Sequence, residues 1–440
     1  MPLAPGSAPA FVPAPAEGPL ALPGLPPPRL TTLANGARIV SLDLPDSPLV
    51  CLDFWCRAGS VFEGPGEGGL AHFLEHMVFK GSANLEPGEF DRRIEALGGS
   101  SNAATGFDDV HYHLLIPPGH AAEALDLLLD LVLSPRLEAE AFELERRVVL
   151  EELAQSEDQP EEVAVQRLLG SACPGHPYGA PILGQRHQLL AQSPGTMAAF
   201  RSRTYTPERC LLVLSGCLDA AAASTTALQA RLANGALAAM REDPRAEPVL
   251  PALRVRPGEH RLKLPRLESA RLLMLWALPP AADLHGVMGA DLLTSLLAEG
   301  RRSRLVHRLR EQLQLVESLD LDLHVLEGGS FALLEAIAAE QDLPAIRREI
   351  EAVLGDLARN GIAPLEWQRG QRLVANGYRF GLESAAGAAA VLGANHLWDH
   401  PAPLETPLLE LQRWQPEALL REVLPLLAPQ RACVLEAVPA

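Results

Sequence analysis

The chain has 440 residues, 48% of them hydrophobic, and a formal net charge of −18. That length allows two or three domains with their own buried cores. The acidic balance argues against a nucleic-acid or anionic-membrane surface, which needs clustered Lys and Arg; it permits cationic peptides as partners without requiring them.

Residues 1–28 contain no Lys or Arg and are broken by prolines from Pro2 to Pro28. They lack both the charged start and the apolar stretch of a signal peptide, and read as a disordered arm. No later apolar run reaches about 18 residues without charge or proline, so no transmembrane helix is expected. The six cysteines, at 51, 56, 173, 210, 217 and 433, show no CxxC spacing. They read as small buried hydrophobes in a reducing, cytoplasmic setting rather than as a disulfide framework or zinc ribbon.

Ordered structure is expected from Leu30, where Leu30 to Val40 around Asn35-Gly36 reads as two short strands and a tight turn. Val50 to Trp55 reads as a buried strand. A glycine-rich stretch, Gly64 to Gly69, leads into a buried helix over Leu70 to Phe79. Helical patterns follow at Pro87–Leu97, His120–Leu133 and Glu138–Gln155, with an alternating strand at Asp109–Ile116 and another strand at Arg209–Gly216. A proline- and charge-rich stretch, 239–256, reads as the linker between an N-terminal domain, 29–238, and a C-terminal domain, 257–440. The second half echoes the first: a strand at Leu272–Leu278, helices at Met288–Leu297 and Ser303–Leu313, another strand, then helices. The clearest repeat pairs Glu143-Leu144-Glu145-Arg146 with Glu366-Trp367-Gln368-Arg369. In that register Glu145 and Glu152 correspond to Gln368 and Ala375, and the helix near Ser303 offers no histidine pair, so only the first half can hold a metal.

His72, Glu75 and His76 form His-x-x-Glu-His. On a helix the two histidines project from one face and can chelate one ion. Glu75 lies beside them, placed to take a proton from a water that the metal activates. A catalytic zinc site needs a third protein ligand. On the 138–155 helix, Glu145 and Glu152 are two turns apart on one face, whereas Glu151 is rotated by about 100°. Glu152 is therefore the expected ligand, with Glu145 supporting the metal shell.

Gly69-Leu70-Ala71-His72-Phe73-Leu74-Glu75-His76-Met77-Val78-Phe79-Lys80-Gly81 resembles the inverted zincins of the pitrilysin and insulinase family, in its mitochondrial processing peptidase branch. The likeness extends to Gly98-Gly99-Ser100-Ser101-Asn102-Ala103, to Glu145-Arg146 with Glu152, and to His176-Pro177-Tyr178-Gly179. The family's spacing from second histidine to distal glutamate also selects Glu152. The resemblance implies an α+β fold of two homologous α/β domains, each a mainly antiparallel sheet with helices on one face, forming half of a clamshell. It implies a zinc metalloendopeptidase with one Zn2+ per chain. A peptide or unfolded polypeptide substrate would be added as a strand beside Asn102 and Ala103.

The family's second half supplies an Arg and a Tyr that hold the substrate carbonyl and the developing oxyanion. In Leu309-Arg310-Glu311-Gln312-Leu313-Gln314-Leu315-Val316-Glu317, Arg310 is kept as a substrate-binding residue, but Glu317 stands in the tyrosine's place and cannot donate to an oxyanion. A homologous subunit carrying the Arg and Tyr is therefore expected, in a heterodimer. The alternative is a non-catalytic peptide-binding or assembly subunit with a structural metal.

Three further features carry weaker signals. His111 and His113 share one strand face, which admits a second metal site but, with no third ligand in view, reads as a polar face. The acids Glu157, Asp158, Glu161 and Glu162 suit either a solvated loop or a preference for basic substrate residues. His176 to Gly179 reads as a turn without a catalytic role.

Overall fold

The computed structural model describes residues 25–218, 232, 235–241, 249–398 and 403–440. The arm expected at 1–28 lies outside them up to residue 24, and the linker expected at 239–256 is described only at 239–241 and 249–256.

The first half opens with β1 (Arg29–Thr32) and β2 (Arg38–Asp43), joined through Gly36 at φ 88°, a backbone region that glycine enters without steric cost. β3 (Val50–Cys56) is buried along its whole length, and α1 (Leu70–Val78) carries the motif. Next come α2 (Glu89–Ala96), β4 (Ser100–Thr105) and β5 (Val110–Ile116), whose burial alternates as a strand's must when its two faces differ. After these follow α3 (Ala121–Leu133), α4 (Ala139–Glu157), α5 (Pro160–Ala172), α6 (Arg186–Ala191), α7 (Pro194–Thr204) and β6 (Cys210–Gly216). The strands pair in the order β1-β2-β6-β3-β5-β4, antiparallel except for β2 beside β6.

The second half comprises β7 (Gly258–Leu264), β8 (Ala270–Leu278), α8 (Leu284–Ala298), a π-helical turn at Val306–Gln312, β9 (Ser318–His324) and β10 (Ser330–Ala338). It continues with α9 (Leu343–Asn360), α10 (Pro364–Gly381), α11 (Ala385–Leu397), α12 (Thr406–Arg413), α13 (Pro416–Glu422) and β11 (Cys433–Pro439). Its sheet runs β7-β11-β8-β10-β9, with one parallel pair, β7 beside β11. The α+β architecture of two homologous domains expected from the sequence is therefore present.

Each sheet buries one face under helices of its own half: α1, α3, α4 and α7 in the first, α8 to α10 and α12 in the second. The opposite faces are covered reciprocally. Leu168 and Leu169 of α5 pack on Leu273, Leu275 and Leu435 of the second sheet, while Leu392 and Ala389 of α11 pack on Val40, Trp55 and Val213 of the first. Fully burying a leucine contributes about 1.5–3 kcal/mol, so each crossing helix binds the halves strongly.

A polar contact adds to this join. The Tyr178 hydroxyl donates to Asp108 Oδ1 at 2.7 Å and accepts the Gly328 N–H at 2.8 Å; the Glu327 N–H donates to Asp108 Oδ2 at 2.7 Å. Arg57 pairs with Glu327, and His176 Nε2 meets the Pro251 carbonyl at 3.0 Å. Burial pushes the Asp108 carboxyl up to about 6 against the lowering from its two donors. The His-Pro-Tyr-Gly turn thus docks the second half onto the first, in keeping with a structural role.

Candidate active site

α1 starts at Gly69, whose φ of 82° turns the chain into the helix. A Cβ there would lie 2.5 Å from the Leu183 carbonyl oxygen, so no larger residue fits. The Glu63 carboxylate accepts the N–H groups of Gly69 (3.1 Å) and Ala71 (2.8 Å), satisfying donors that a helix start leaves free. α4 crosses α1 where the Phe73 and Phe142 rings meet at 4.5 Å.

That crossing brings the distant carboxylate to the histidine pair. His72 Nε2 lies 3.5 Å from Glu152 Oε1 and His76 Nε2 lies 3.3 Å from Glu152 Oε2. Zinc ligands at about 2.1 Å in a tetrahedron stand about 3.4 Å apart, so these three side chains fit a zinc ion. All three ligand atoms fall within 4.8 Å of one another. Glu145 does not join them. Its Oε1 meets His76 Nδ1 at 2.9 Å and its Oε2 accepts from Lys80 Nζ at 2.7 Å. A carboxylate on Nδ1 keeps the proton there and leaves the Nε2 lone pair free for a metal.

The ionisation of these groups follows from their surroundings. Burial, with a smaller effect of His76, holds His72 down to about 4, so its ring is neutral. For His76, burial is outweighed by the hydrogen bond to Glu145 and the charges of Glu152 and Glu145, which raise it. Burial of Glu145 is likewise overcome by its bonds to His76 and Lys80, which lower its carboxyl. Burial raises Glu75, partly offset by the Thr105 hydroxyl that donates to its Oε2.

The histidines and Glu75 sit in an open cleft of about 1110 Å3, larger than the ~300–1,000 Å3 typical of small-molecule pockets. Ala103, Ala104 and Thr105 of β4, the free edge strand of the first sheet, form one wall. Asn102 is exposed on the same strand but does not line the cleft, and its Oδ1 accepts the Ala103 N–H at 2.9 Å. Arg310 lies exposed on the π-helical turn of the second half, outside the cleft lining, and Glu317 accepts the Ser269 hydroxyl at 3.2 Å. The acidic cluster divides: Glu157 and Glu162 line the cleft, whereas Asp158 and Glu161 pair with Arg266 (3.4 Å) and Arg271 (2.9 Å) of the second half. Glu161 and Glu162 belong to the first turn of α5 rather than to a loop.

Lys80 and Thr105 also belong to the site, through their bonds to Glu145 and Glu75. Lys80 is one helical turn beyond His76, and Thr105 alternates with Ala103 on the edge strand; both spacings were available as signals.

A His-x-x-Glu-His helix crossed by a helix bearing the distal glutamate, beneath a mixed sheet whose edge strand borders the cleft, is the arrangement of an inverted zincin. The chain belongs to the insulinase family, peptidase M16. The model of that family matches residues 38–186, and that of the peptidase M16 inactive domain matches 193–374. An uncharacterized zinc protease of Mycobacterium tuberculosis is 30% identical over 379 residues, 84% of each chain. The mitochondrial-processing peptidase subunit beta of Lentinula edodes is 31% identical over 191 residues, 43% of this chain and 41% of that one. Among solved structures, a protease from Helicobacter pylori superposes with a TM-score of 0.85 at 22% identity, over 94% of this chain and 99% of that one. A putative M16-like peptidase from Alicyclobacillus acidocaldarius gives 0.84 at 21% identity, over 96% and 100%. Family membership supports a metalloprotease, and among the described residues no helix is long and apolar enough to cross a membrane.

Proposed function

We propose that this chain is a zinc metalloendopeptidase in which His72, His76 and Glu152 hold one catalytic ion, Glu75 is the general base and Glu145 positions His76. The observation that carries this reading is the convergence of both Nε2 atoms on Glu152 with Glu75 in the same cleft. A zinc ion held there supplies Lewis acidity, bringing the pKa of a water down towards about 7. Glu75 accepts the proton of the attacking water on its carboxylate and delivers it to the leaving amine nitrogen; its raised pKa brings it nearer the range a base at neutral pH needs. Lys80 neutralises the far oxygen of Glu145, so that Glu145 orients the imidazole without drawing the ion.

The substrate is a peptide or unfolded polypeptide laid along β4 as an added strand beside Asn102 and Ala103, held by backbone pairing. Glu157 and Glu162 favour basic residues in it. Glu317 in place of a hydroxyl donor supports a heterodimer, in which a homologous subunit supplies the Arg and Tyr and Arg310 serves across the join. The unpaired cysteines are in keeping with a cytoplasmic protein.

Glu75→Gln tests the assignment: zinc content is unchanged and cleavage of a peptide library falls by about 10²–10⁴-fold. Retained turnover in that variant refutes it. Glu317 also favours a second reading, a non-catalytic subunit with a structural metal. Assay of the wild type with and without a co-expressed homologue separates the two, since a structural subunit stays inactive in both and full activity alone removes the heterodimer.

A further inference from the structure

β3 and β5 run antiparallel with Asp53 directly opposite His113 and Trp55 opposite His111. Side chains alternate across a strand, so these four share one face of the sheet. Tyr112, between the histidines, points the other way into the core beneath α1. The strand register thus supplies what the His-x-His pair lacked in sequence, a third ligand. Asp53 Oδ1 lies 3.0 Å from His111 Nδ1, and the ligand atoms of Asp53, His111 and His113 all fall within 4.8 Å of one another, as those of the cleft triad do.

We propose that Asp53, His111 and His113 form a second metal site, for a divalent first-row ion such as Zn2+, on the face of the first sheet opposite the His-x-x-Glu-His helix.

Two buried groups point to a cation. Asp53 is 2% exposed, and a carboxylate removed from water needs a positive partner. Among the described residues no Lys or Arg pairs with it; its ion-pair partner is His111. His113 Nδ1 is buried with no hydrogen-bond partner, although buried imidazole nitrogens are ordinarily satisfied. One ion answers both. Two imidazoles and a carboxylate are a donor set that first-row divalent ions accept.

The neighbouring residues hold the histidine rings in place. Trp55 stacks on the His111 ring at 4.2 Å and 19°, fixing its orientation. The indole fits only because residue 393 of α11 is glycine: a Cβ there would fall 2.2 Å from Trp55 Cε2. On the other side, His111 and His113 pair in register with Ala104 and Asn102 of β4, both exposed. Three protein ligands on the sheet leave one position of a four-coordinate ion unfilled by the protein.

The test is a zinc titration of the full chain after chelation, with metal content measured by elemental analysis. The wild type takes up two equivalents, His72→Ala/His76→Ala one, and that variant combined with His111→Ala/His113→Ala none. His113→Gln alone, at a half-buried position and checked for folding by circular dichroism, falls from two equivalents to one. The proposal is overturned if folded His72→Ala/His76→Ala holds no zinc, or if His113→Gln still takes up two equivalents.

Discussion

The two halves share a strand order, β2-β6-β3-β5-β4 against β7-β11-β8-β10-β9, down to the position of the single parallel pair. They differ in what faces their helices. α1 follows β3 and carries two histidines and a glutamate; α8, which follows β8, carries one histidine, His285, stacked on Trp414 at 4.3 Å, and one acid, Asp291. On the long helices, Arg146 and Arg369 play like parts, donating to the carbonyls of Gln192 (2.6 Å) and Glu299 (3.1 Å). Yet Glu152 stands at a cleft while Ala375, its equivalent in that register, is fully buried. The apolar pattern alone maintains the architecture. A few polar side chains opening onto water add the chemistry, and without them the same scaffold is a brace.

Making the first half resemble the second is expected to have the largest effect. Glu152→Ala removes a ligand outright, so zinc affinity falls by more than the ~10–100-fold usual for an outer partner, and cleavage falls with it. Equilibrium dialysis and a peptide assay check this. The converse change, Ala375→Glu, places an unpaired carboxylate in the second core and costs about 3–5 kcal/mol of stability, seen as a lowered denaturation midpoint with no zinc gained. Glu145→Gln keeps a neutral acceptor on His76 and weakens zinc by about 10–100-fold, measured by chelator competition.

The crossing helices allow a finer contrast. Gly393→Ala drives a methyl into Trp55 and destabilises the chain by about 1–3 kcal/mol in urea denaturation. Gly170→Ala in α5 meets only the Gly179 carbonyl oxygen at 3.6 Å, so helix propensity dominates and the variant gains about 0.5–1 kcal/mol. An equal loss at both positions would mean that the two helices pack alike after all.

Much of the cleft was legible because it is written in short-range spacing: His76 stands four positions after His72, and a heptad distinguishes Glu152 from Glu151. What escaped depended on tertiary partners. Asp53 joins His111 and His113 only through the β3–β5 register, which no local pattern specifies. α5 was hidden by the acids of its first turn, which resemble a solvated loop until Arg271 of the other half is seen to pair with Glu161. β4, Ser-Ser-Asn-Ala-Ala-Thr, has little strand propensity of its own and owes its conformation to pairing with β5. Amphipathic helices announce a buried face but not which sheet it lies on, so the reciprocal exchange of α5 and α11 could not be read from residues in line.

That exchange restricts how the molecule can move. Swinging one half away from the other would strip Leu392 from the first sheet and Leu168 from the second in a single stroke, and break the bond from Tyr178 to Asp108 as well. The chain is therefore latched from both sides, and a hinge between its halves would have to undo both packings together. On the heterodimer reading proposed above, a polypeptide would reach the cleft by displacement between the subunits rather than by flexure within this one.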